Sequence, residues 1–335
     1  MYYKLLFFNS LMIGTLIAIS SYSWMGMWMG LEINLLSMIP LISDNKNMMA
    51  SEAALKYFII QTMASTLLLF SIIMMSMKFM YQMNLITYFN LIFNTSLFIK
   101  MGAAPFHFWF PEMMEGLNWL NAIIMLTWQK LSPMVLLTYS NTTSMYLILT
   151  IMFSMMISGI MGLNQTSLRK IMAYSSINHI GWMISSIMLI EIVWFYYFII
   201  YCIITINISI MFMKLNVFHI NQLYISMNYH ILLKLFFALN FMSLGGLPPF
   251  LGFFPKWLTI QTLIQSNMYS IAFIMILMTL MTLFFYLRIT FSILLLSKTV
   301  LTFYTQPKID TNYIMAFNFI TLLSLIFVTL MFNFL

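Results

Sequence analysis

The stretch Phe98–Trp109 reads FIKMGAAPFHFW, and it lies inside a long apolar segment although it contains a lysine, a glycine and a proline. Pro105 removes a backbone donor and clashes with the preceding turn, so a helix that runs through this stretch must bend or break. A lysine at the centre of a membrane costs about 3 kcal/mol on insertion scales, so Lys100 requires an explanation. In transporter folds, a broken helix beside a buried charge marks an ion or substrate site.

The same pattern occurs a second time, 144 residues further along the chain. The first copy is Gly102-x-x-Pro105-Phe106-x3-Phe110-Pro111-Glu112, and the second is Gly246-x-x-Pro249-Phe250-x3-Phe254-Pro255-Lys256. Two proline-broken apolar segments at corresponding places predict an internal repeat with an ion path between its halves. A chance match in a chain rich in phenylalanine is the alternative.

Composition restricts the class of protein. The chain has 335 residues, of which 63% are hydrophobic and 6% charged, and its mean hydropathy is +0.97. A soluble protein of this length needs far more charge to cover its surface, so we predict a polytopic membrane protein. The apolar runs are close to 20 residues long, which favours transmembrane helices over the ten-residue strands of a barrel. The first 20 residues resemble a signal peptide, but we interpret them as the first span because they lack a clear cleavage site.

Apolar windows predict about eleven spans. Their centres lie near Ile13, Glu32, Met63, Ser96, Leu126, Met152, Ile180, Ile203, Leu244, Thr279 and Ser324. The broken segments are spans four and nine, and this odd offset means that the second copy enters the membrane from the opposite face. The predicted fold is therefore an all-α polytopic membrane protein with two inverted five-helix repeats, each of which contains a proline-broken helix. Residues 1–335 form one domain, with helix 1 at about 5–23, the first repeat at about 24–162 and the second at about 168–335.

Residue usage and loop charges predict the location of the chain. The 37 methionines and 32 phenylalanines suggest A/T-rich codons and a code in which ATA means methionine, as in animal mitochondria; methionine as a soft core filler is the alternative. Basic loop residues mark the inner side of a membrane. We therefore expect the N-terminus in the mitochondrial matrix and the C-terminus in the intermembrane space, because most basic loop residues share the side of the N-terminus. They are Lys4, Lys46, Arg169, Lys170, Lys214, Lys234, Lys298 and Lys308, against Lys78 on the other side.

Several ionisable side chains lie within the predicted spans, and such residues are functional candidates by default. The strongest are Glu32, Lys100, Lys130 and Lys256, with Lys56, His107, His179, Ser175 and Ser176 as further relay residues or polar linkers. The expected helix breaks are Gly102, Pro105, Pro133, Pro248 and Pro249. Burial weakens the hold of a lysine on its proton and a nearby carboxylate strengthens it, so lysines in this setting suit a proton relay.

Each candidate also has a structural interpretation. Glu32 and Lys100 form a fixed ion pair in that interpretation, and Lys56 lies close enough to a span end to extend towards the headgroups. Lys256 is an ordinary loop residue if the ninth span stops at Pro248. His179 and His107 are histidines that only pack between helices.

Other kinds of site have no support in the sequence. The four histidines have no metal-ligand spacing, the single cysteine, Cys202, has no partner for a disulfide, and no glycine-rich phosphate loop follows a strand. The basic residues are scattered singly, which argues against nucleic-acid binding. We therefore expect no metal and no cofactor in this chain.

Six segments resemble the antiporter-like membrane subunits of mitochondrial NADH–ubiquinone oxidoreductase (respiratory complex I), in an arthropod version. They are WMGLEINLLSMIP, SEAALKYFIIQTMAS, KMGAAPFHFWFPEMMEGL, LTWQKLSPM, GLNQTSLRKIMAYSSINHIGWM and NFMSLGGLPPFLGFFPKW. The resemblance implies that Glu32, Lys100, Lys130 and Lys256 match the family's glutamate and its first, central and terminal lysines. Lys56 matches a family lysine of less certain role, and His179 with the serines before it matches a polar linker.

The resemblance also implies the setting of the chain. NADH, FMN, iron–sulfur clusters and ubiquinone are then bound by other subunits, and the partners are membrane-arm subunits, small accessory subunits, cardiolipin and other lipids. The chain itself carries out no redox chemistry and is mitochondrially encoded. Two rival functions remain open, which are a stand-alone cation/proton antiporter and a structural spacer without a proton path.

Overall fold

The computed structural model describes residues 2–44, 47–77, 86–140, 143–227, 231–295 and 318–319. Within these ranges the chain forms fourteen named helices, and the only extended pairing is an isolated bridge between Ser167 and His219. The first seven helices are α1 (Tyr2–Ser20), α2 (Trp24–Ile42), α3 (Met48–Ser76), α4 (Ile86–Met101), α5 (Trp109–Gly116), α6 (Trp119–Leu126) and α7 (Trp128–Tyr139). The others are α8 (Ser144–Gly162), α9 (Leu168–Leu189), α10 (Glu191–Leu215), α11 (Ile220–Met227), α12 (Ile231–Gly245), α13 (Phe253–Gln265) and α14 (Tyr269–Leu295).

Seven helical stretches in the described ranges are long and apolar enough to cross a membrane. They are α1, α2, α3, the α6–α7 pair, α8, α10 and α14. Helix α9 has 22 residues but does not belong to this group, because serine, asparagine and histidine side chains make it too polar. The prediction of an all-helical membrane protein is confirmed. The number eleven and the inverted repeat remain predictions.

Most predicted spans coincide with observed helices. Ten of the eleven predicted centres fall within named helices, and the eleventh, near Ser324, lies outside the described residues. The sequence did not predict the short helix α11, which lies in the connection between Lys214 and Lys234. Lys46, Lys78, Lys298, Lys308 and the C-terminus also lie outside the described residues, so the predicted orientation stays a prediction.

The chain divides into two compact units, Met1–Ser154 and Met155–Leu335. The boundary lies inside α8, eight residues before the predicted end of the first repeat at 162. Helix α1, which was expected to stand outside the repeats, packs against α2 in the first unit. A Cβ atom added at Gly30 of α2 would lie 2.5 Å from the backbone nitrogen of Ala18, so the two helices cross in close contact.

The first broken segment ends its first helix in a Schellman motif. Gly102 follows α4 with φ +71°, a left-handed conformation that glycine adopts without steric cost. Its N–H donates to the carbonyl of Ile99, and the next N–H, of Ala103, donates to the carbonyl of Phe98. These two bonds satisfy carbonyl groups that the end of α4 would otherwise leave without donors.

The second broken segment repeats this geometry at the aligned positions. Gly246 follows α12 with φ +78°, and the N–H groups of Gly246 and Leu247 donate to the carbonyls of Ser243 and Met242. After each break the chain resumes a helix at aligned residues, Trp109 for α5 and Phe253 for α13. The two copies of the motif thus adopt the same backbone turn, whereas the inverted five-helix repeat remains a prediction.

The fifth predicted span is broken at a position that the sequence did not indicate. Helix α6 ends at Leu126 and α7 begins at Trp128, whereas Pro133, the expected break, lies inside α7. The break therefore has to be reassigned to Thr127. The hydroxyl of Thr127 donates to the carbonyl of Ile123 at 2.7 Å, and back-bonding of this kind bends helices. Pro133 still contributes, because it has no N–H to offer the carbonyl four residues earlier.

Candidate functional site

Three lysines are the only buried charged side chains in the described part of the chain. Lys100, Lys130 and Lys256 are 8%, 2% and 6% exposed. All three lie within one turn of a helix break, Lys100 at the end of α4, Lys130 at the start of α7 and Lys256 at the start of α13. A buried lysine is expensive unless polar groups surround it, and a helix break exposes backbone groups that can serve this purpose.

In the first unit, Glu32 and Lys100 do not form a salt bridge. Glu32 is half-buried on α2, and no ion pair within 4 Å joins it to the Lys100 ammonium, whereas Lys56 forms such pairs with Glu52 and Glu112. The interpretation of Glu32 and Lys100 as a fixed ion pair therefore has no support in this structure.

A small polar cavity lies beside Lys100. Its lining consists of Leu31, Asn34, Leu35, Tyr57, Gln61, Lys100, Gln129, Ser132 and Pro133. The volume open to the centre of a water molecule is about 10 Å³, which is close to the space that one water needs. The Ser132 hydroxyl is fully buried and has no hydrogen-bond partner among the described residues. The cavity therefore offers one water molecule a polar site next to Lys100.

Two amide side chains join the helices around this cavity. Gln129 donates to the Oδ1 atom of Asn34 at 2.7 Å, which links the helix of Lys130 to the helix of Glu32. Gln61 donates to the backbone carbonyl of Lys100 at 3.3 Å. Asn34, Gln61 and Ser132 are not among the residues predicted from the sequence. Asn34 and Gln61 had a usable signal, because an amide in the middle of an apolar span must find a partner.

Lys130 lies over an aromatic ring. Its Nζ atom is 5.3 Å from the centroid of the Phe110 ring, within the distance at which a cation is attracted to a ring face. Phe110 is the second residue of α5 and is 1% exposed. The broken segment that begins with Lys100 therefore also supplies the ring that contacts Lys130.

In the second unit, Lys256 caps the broken end of α12. Its ammonium donates to the carbonyl of Gly245 at 2.8 Å and to that of Leu244 at 3.3 Å. The Lys256 Nζ atom also lies 6.0 Å from the centroid of the Trp182 ring on α9. A Cβ atom at Gly246 would lie 2.7 Å from the Lys256 Cδ atom. Lys256 is thus a buried helical residue that packs into the break, and it is not a loop residue.

The polar face of α9 is buried in the same unit. Ser175 and Ser176 are fully buried, and their hydroxyls donate to carbonyls three residues earlier in their own helix. The Asn178 side chain donates to the Thr282 hydroxyl at 3.1 Å. The Nδ1 atom of His179 lies 2.9 Å from the Tyr197 hydroxyl. These contacts join α9 to α14 and to α10 through buried polar side chains.

The remaining candidates lie apart from the buried lysines. The Lys56 ammonium is 2.9 Å from both Glu52 and Glu112, and these side chains are 37%, 60% and 57% exposed. The sequence interpretation of Lys56 as an exposed residue near a span end is therefore favoured over a buried relay role. His107 is buried inside the first break, with its Nδ1 atom 3.3 Å from the carbonyl of Pro105, which fits a packed structural histidine.

The described residues contain no group of three or more histidine, cysteine or acidic side chains that could hold a metal ion. Cys202 is half-buried in α10. The expectation that this chain binds no cofactor stays a prediction.

Comparisons with known proteins place these features in a family. The family model described as NADH:quinone oxidoreductase/Mrp antiporter, transmembrane, matches residues 21–282. The NADH-ubiquinone oxidoreductase chain 2 of Aedes aegypti is 48% identical over 332 residues, covering 98% of this chain and 97% of the mosquito protein. That of Anopheles gambiae is 46% identical over 334 residues, with the same shares covered. These relatives confirm the predicted resemblance and its arthropod character.

A solved structure agrees with the fold. A chain of respiratory complex I from Thermus thermophilus superposes with a TM-score of 0.86 at 20% identity, covering 97% of this chain and 78% of the bacterial one. At this identity the likeness concerns the fold alone.

Proposed function

We propose a proton-relay function for this chain, which belongs to the NADH:quinone oxidoreductase/Mrp antiporter family of transmembrane proteins and, within it, to the NADH–ubiquinone oxidoreductase chain 2 proteins. The chain is a membrane-arm subunit of the oxidoreductase. It couples electron transfer from NADH to ubiquinone, which takes place in other subunits, to the movement of protons across the membrane.

The observation that carries the proposal is the placement of all three buried lysines beside helix breaks. An unbroken helix uses all its interior carbonyls internally, whereas a broken one exposes carbonyls, as Lys256 illustrates with Gly245 and Leu244. A lysine held by exposed backbone dipoles rather than by a carboxylate keeps a proton that it can still release. This is the property that a relay needs and that a structural ion pair lacks.

The residues have distinct roles in the relay. Glu32 sets the electrostatic environment of Lys100, and the adjoining cavity with Ser132 carries the proton on a water molecule. Lys130 is the central lysine and Lys256 the terminal one. Ser175, Ser176 and His179 form the polar linker together with Asn178 of the same helix, and Tyr197 is a further member that the sequence did not indicate.

The energy for transport comes from outside the chain. Moving one charge against a membrane potential costs about 2.3 kcal/mol per 100 mV, and the hydrogen bonds of the relay do not supply this. The redox reactions of the other subunits, which hold NADH, FMN, iron–sulfur clusters and ubiquinone, supply it in our proposal. The chain then functions in the mitochondrial inner membrane, with its N-terminus in the matrix, surrounded by antiporter-like and accessory subunits and by lipids such as cardiolipin.

The change Glu32→Gln in the assembled complex tests the proposal. We expect coupled NADH:ubiquinone turnover to fall several-fold, because a neutral amide no longer stabilises the positive charge on Lys100. The amount of assembled complex should remain near normal, since Glu32 makes no ion pair within 4 Å in this structure. Proton pumping in sealed vesicles and the amount of the complex on native gels are the measurements.

The matched control is Glu52→Gln, which removes an exposed carboxylate from the Lys56 pair. Exposed pairs contribute at most about 1 kcal/mol, so turnover and assembly should not change. Full pumping by the Glu32→Gln complex would exclude Glu32 from the relay. Loss of the subunit from the membrane would assign Glu32 a role in folding.

A further inference from the structure

The Phe110 ring contacts the central lysine from a fixed position. The Lys130 Nζ atom is 5.3 Å from the ring centroid, and both side chains are almost completely buried. A ring face attracts a cation through its quadrupole, and the attraction is strongest when water is excluded. A neutral amine has no net charge to be attracted in this way. The ring therefore favours the protonated form of Lys130 over the neutral form.

The broken segment holds this ring in place. The backbone N–H of Phe110 donates to the carbonyl of His107 at 3.0 Å. A Cβ atom at Gly102 would lie 3.1 Å from the Phe110 Cβ atom and 3.3 Å from its Cγ atom, so the side chain packs directly on the left-handed glycine. Gly102 is two residues after Lys100. The position of the ring is thus determined by the backbone of the break that Lys100 adjoins.

The second unit shows that an aromatic contact is not peculiar to Lys130. Lys256 lies over the ring of Trp182 at 6.0 Å, but that ring comes from α9. Phe254, the residue aligned with Phe110, is two residues before Lys256 in its own helix. Among the described residues, the aligned phenylalanine of the broken segment therefore contacts a buried lysine in the first unit only.

We propose that Phe110 is a positioning residue of the relay, and that its ring holds the protonated Lys130 in place through a cation–π contact. The inference rests on the proposed relay function and deepens it. Phe110 does not itself carry a proton. It fixes the place of the ammonium and favours the charged state, so that the proton is held at Lys130 until the relay advances.

The change Phe110→Leu in the assembled complex removes the ring and keeps an apolar side chain. We expect the rate of proton pumping to fall roughly thirtyfold, which corresponds to the loss of a buried cation–ring contact of about 2 kcal/mol. Phe110→Tyr keeps the ring and should pump at nearly the normal rate. If Phe110 only filled space, the tyrosine variant would lose at least as much pumping as the leucine variant, because tyrosine buries an additional hydroxyl. Phe110→Met, which is flexible and has no ring, decides the question if the leucine variant does not assemble.

The control Phe98→Leu shortens another fully buried phenylalanine of the same unit, whose ring lies 5.5 Å from that of Tyr146. It should leave pumping per assembled complex unchanged. Equal pumping by Phe110→Leu, Phe110→Met and the native complex would overturn the inference, and so would an equal loss in Phe110→Tyr. Failure of the relay itself is recognised separately, because the change Lys130→Met would then also leave pumping intact.

Discussion

The change Lys130→Met is expected to reduce proton pumping by the assembled complex at least about tenfold, while the amount of complex stays the same. Methionine has a similar length and volume and carries no charge, so it fits the site between Phe110 and the start of α7. The methionine keeps the apolar contacts of the lysine stem and removes the titratable group. Pumping in sealed vesicles and NADH oxidation in the same preparation measure the effect.

The matched control is Lys56→Met, which removes a lysine that is 37% exposed and paired with two carboxylates. Both variants lose one positive charge, but only Lys130 is buried beside a helix break. The control should pump normally. A Lys130→Met complex that assembles and pumps at the native rate would leave the structural-spacer interpretation in place. Loss of pumping with normal assembly would exclude that interpretation.

The stand-alone antiporter is distinguished in another way. An antiporter needs its own ion site and gates within one chain, so it would move cations in vesicles that contain the purified chain alone. We expect no such transport, because in the proposed function the redox reactions of the other subunits supply the energy. The same Lys130→Met variant is informative in both settings, since an independent antiporter that used this lysine would lose activity outside the complex as well.

Several parts of this fold follow directly from the sequence. In a membrane every backbone polar group must be satisfied within the protein, so apolar stretches of about 20 residues have few alternatives to a helix. A proline three residues after a glycine also limits the conformations that the backbone can adopt there. The left-handed turns at Gly102 and Gly246 are therefore predictable from the aligned motif. The resumption of the helix after each break is also predictable, because Pro111 and Pro255 lie in the first turns of α5 and α13, where proline is tolerated.

Other parts depend on contacts between residues distant in the chain. The partner of Asn34 is Gln129, 95 residues away, and no local pattern identifies that partner. The break at Thr127 has no local signal in the sequence, because the hydroxyl bond that Thr127 makes to Ile123 also occurs at Thr205 inside the continuous helix α10. Lys256 illustrates the same difficulty, since the sequence alone did not decide whether it lies in a loop or in a helix. Its burial becomes evident only when the carbonyls of α12 are placed beside it.

The two breaks differ at one aligned position. The residue at position 252 is glycine, whereas the aligned residue in the first copy is Phe108, which is 69% exposed. A Cβ atom at Gly252 would lie 1.8 Å from the carbonyl oxygen of Ser243. The start of α13 therefore approaches the end of α12 more closely than any side chain would permit. This approach brings Lys256 to the carbonyls of Leu244 and Gly245.

The change Gly252→Ala is accordingly expected to prevent normal assembly of the complex, or to lower its thermal stability by several °C. The φ and ψ angles of Gly252 are −65° and −15°, values that alanine also adopts, so the backbone conformation does not require glycine. The requirement comes from space alone, and the obstructing atom is a backbone oxygen that cannot rotate away. Overpacking of this kind costs about 1–3 kcal/mol and sometimes more. Native gels and thermal inactivation of NADH oxidation measure the outcome.

Gly245→Ala is the control, because it adds the same methyl group to the other side of the same break. The added Cβ would meet only the side chains of Leu283 and Tyr286, at 3.6 and 3.7 Å, which are ordinary contact distances. Alanine is also a better helix residue than glycine by about 1 kcal/mol, so this variant should assemble at least as well as the native chain. If Gly252→Ala assembled with equal stability, α12 and α13 would not approach as closely as described. The hydrogen bonds that hold Lys256 would then need another explanation.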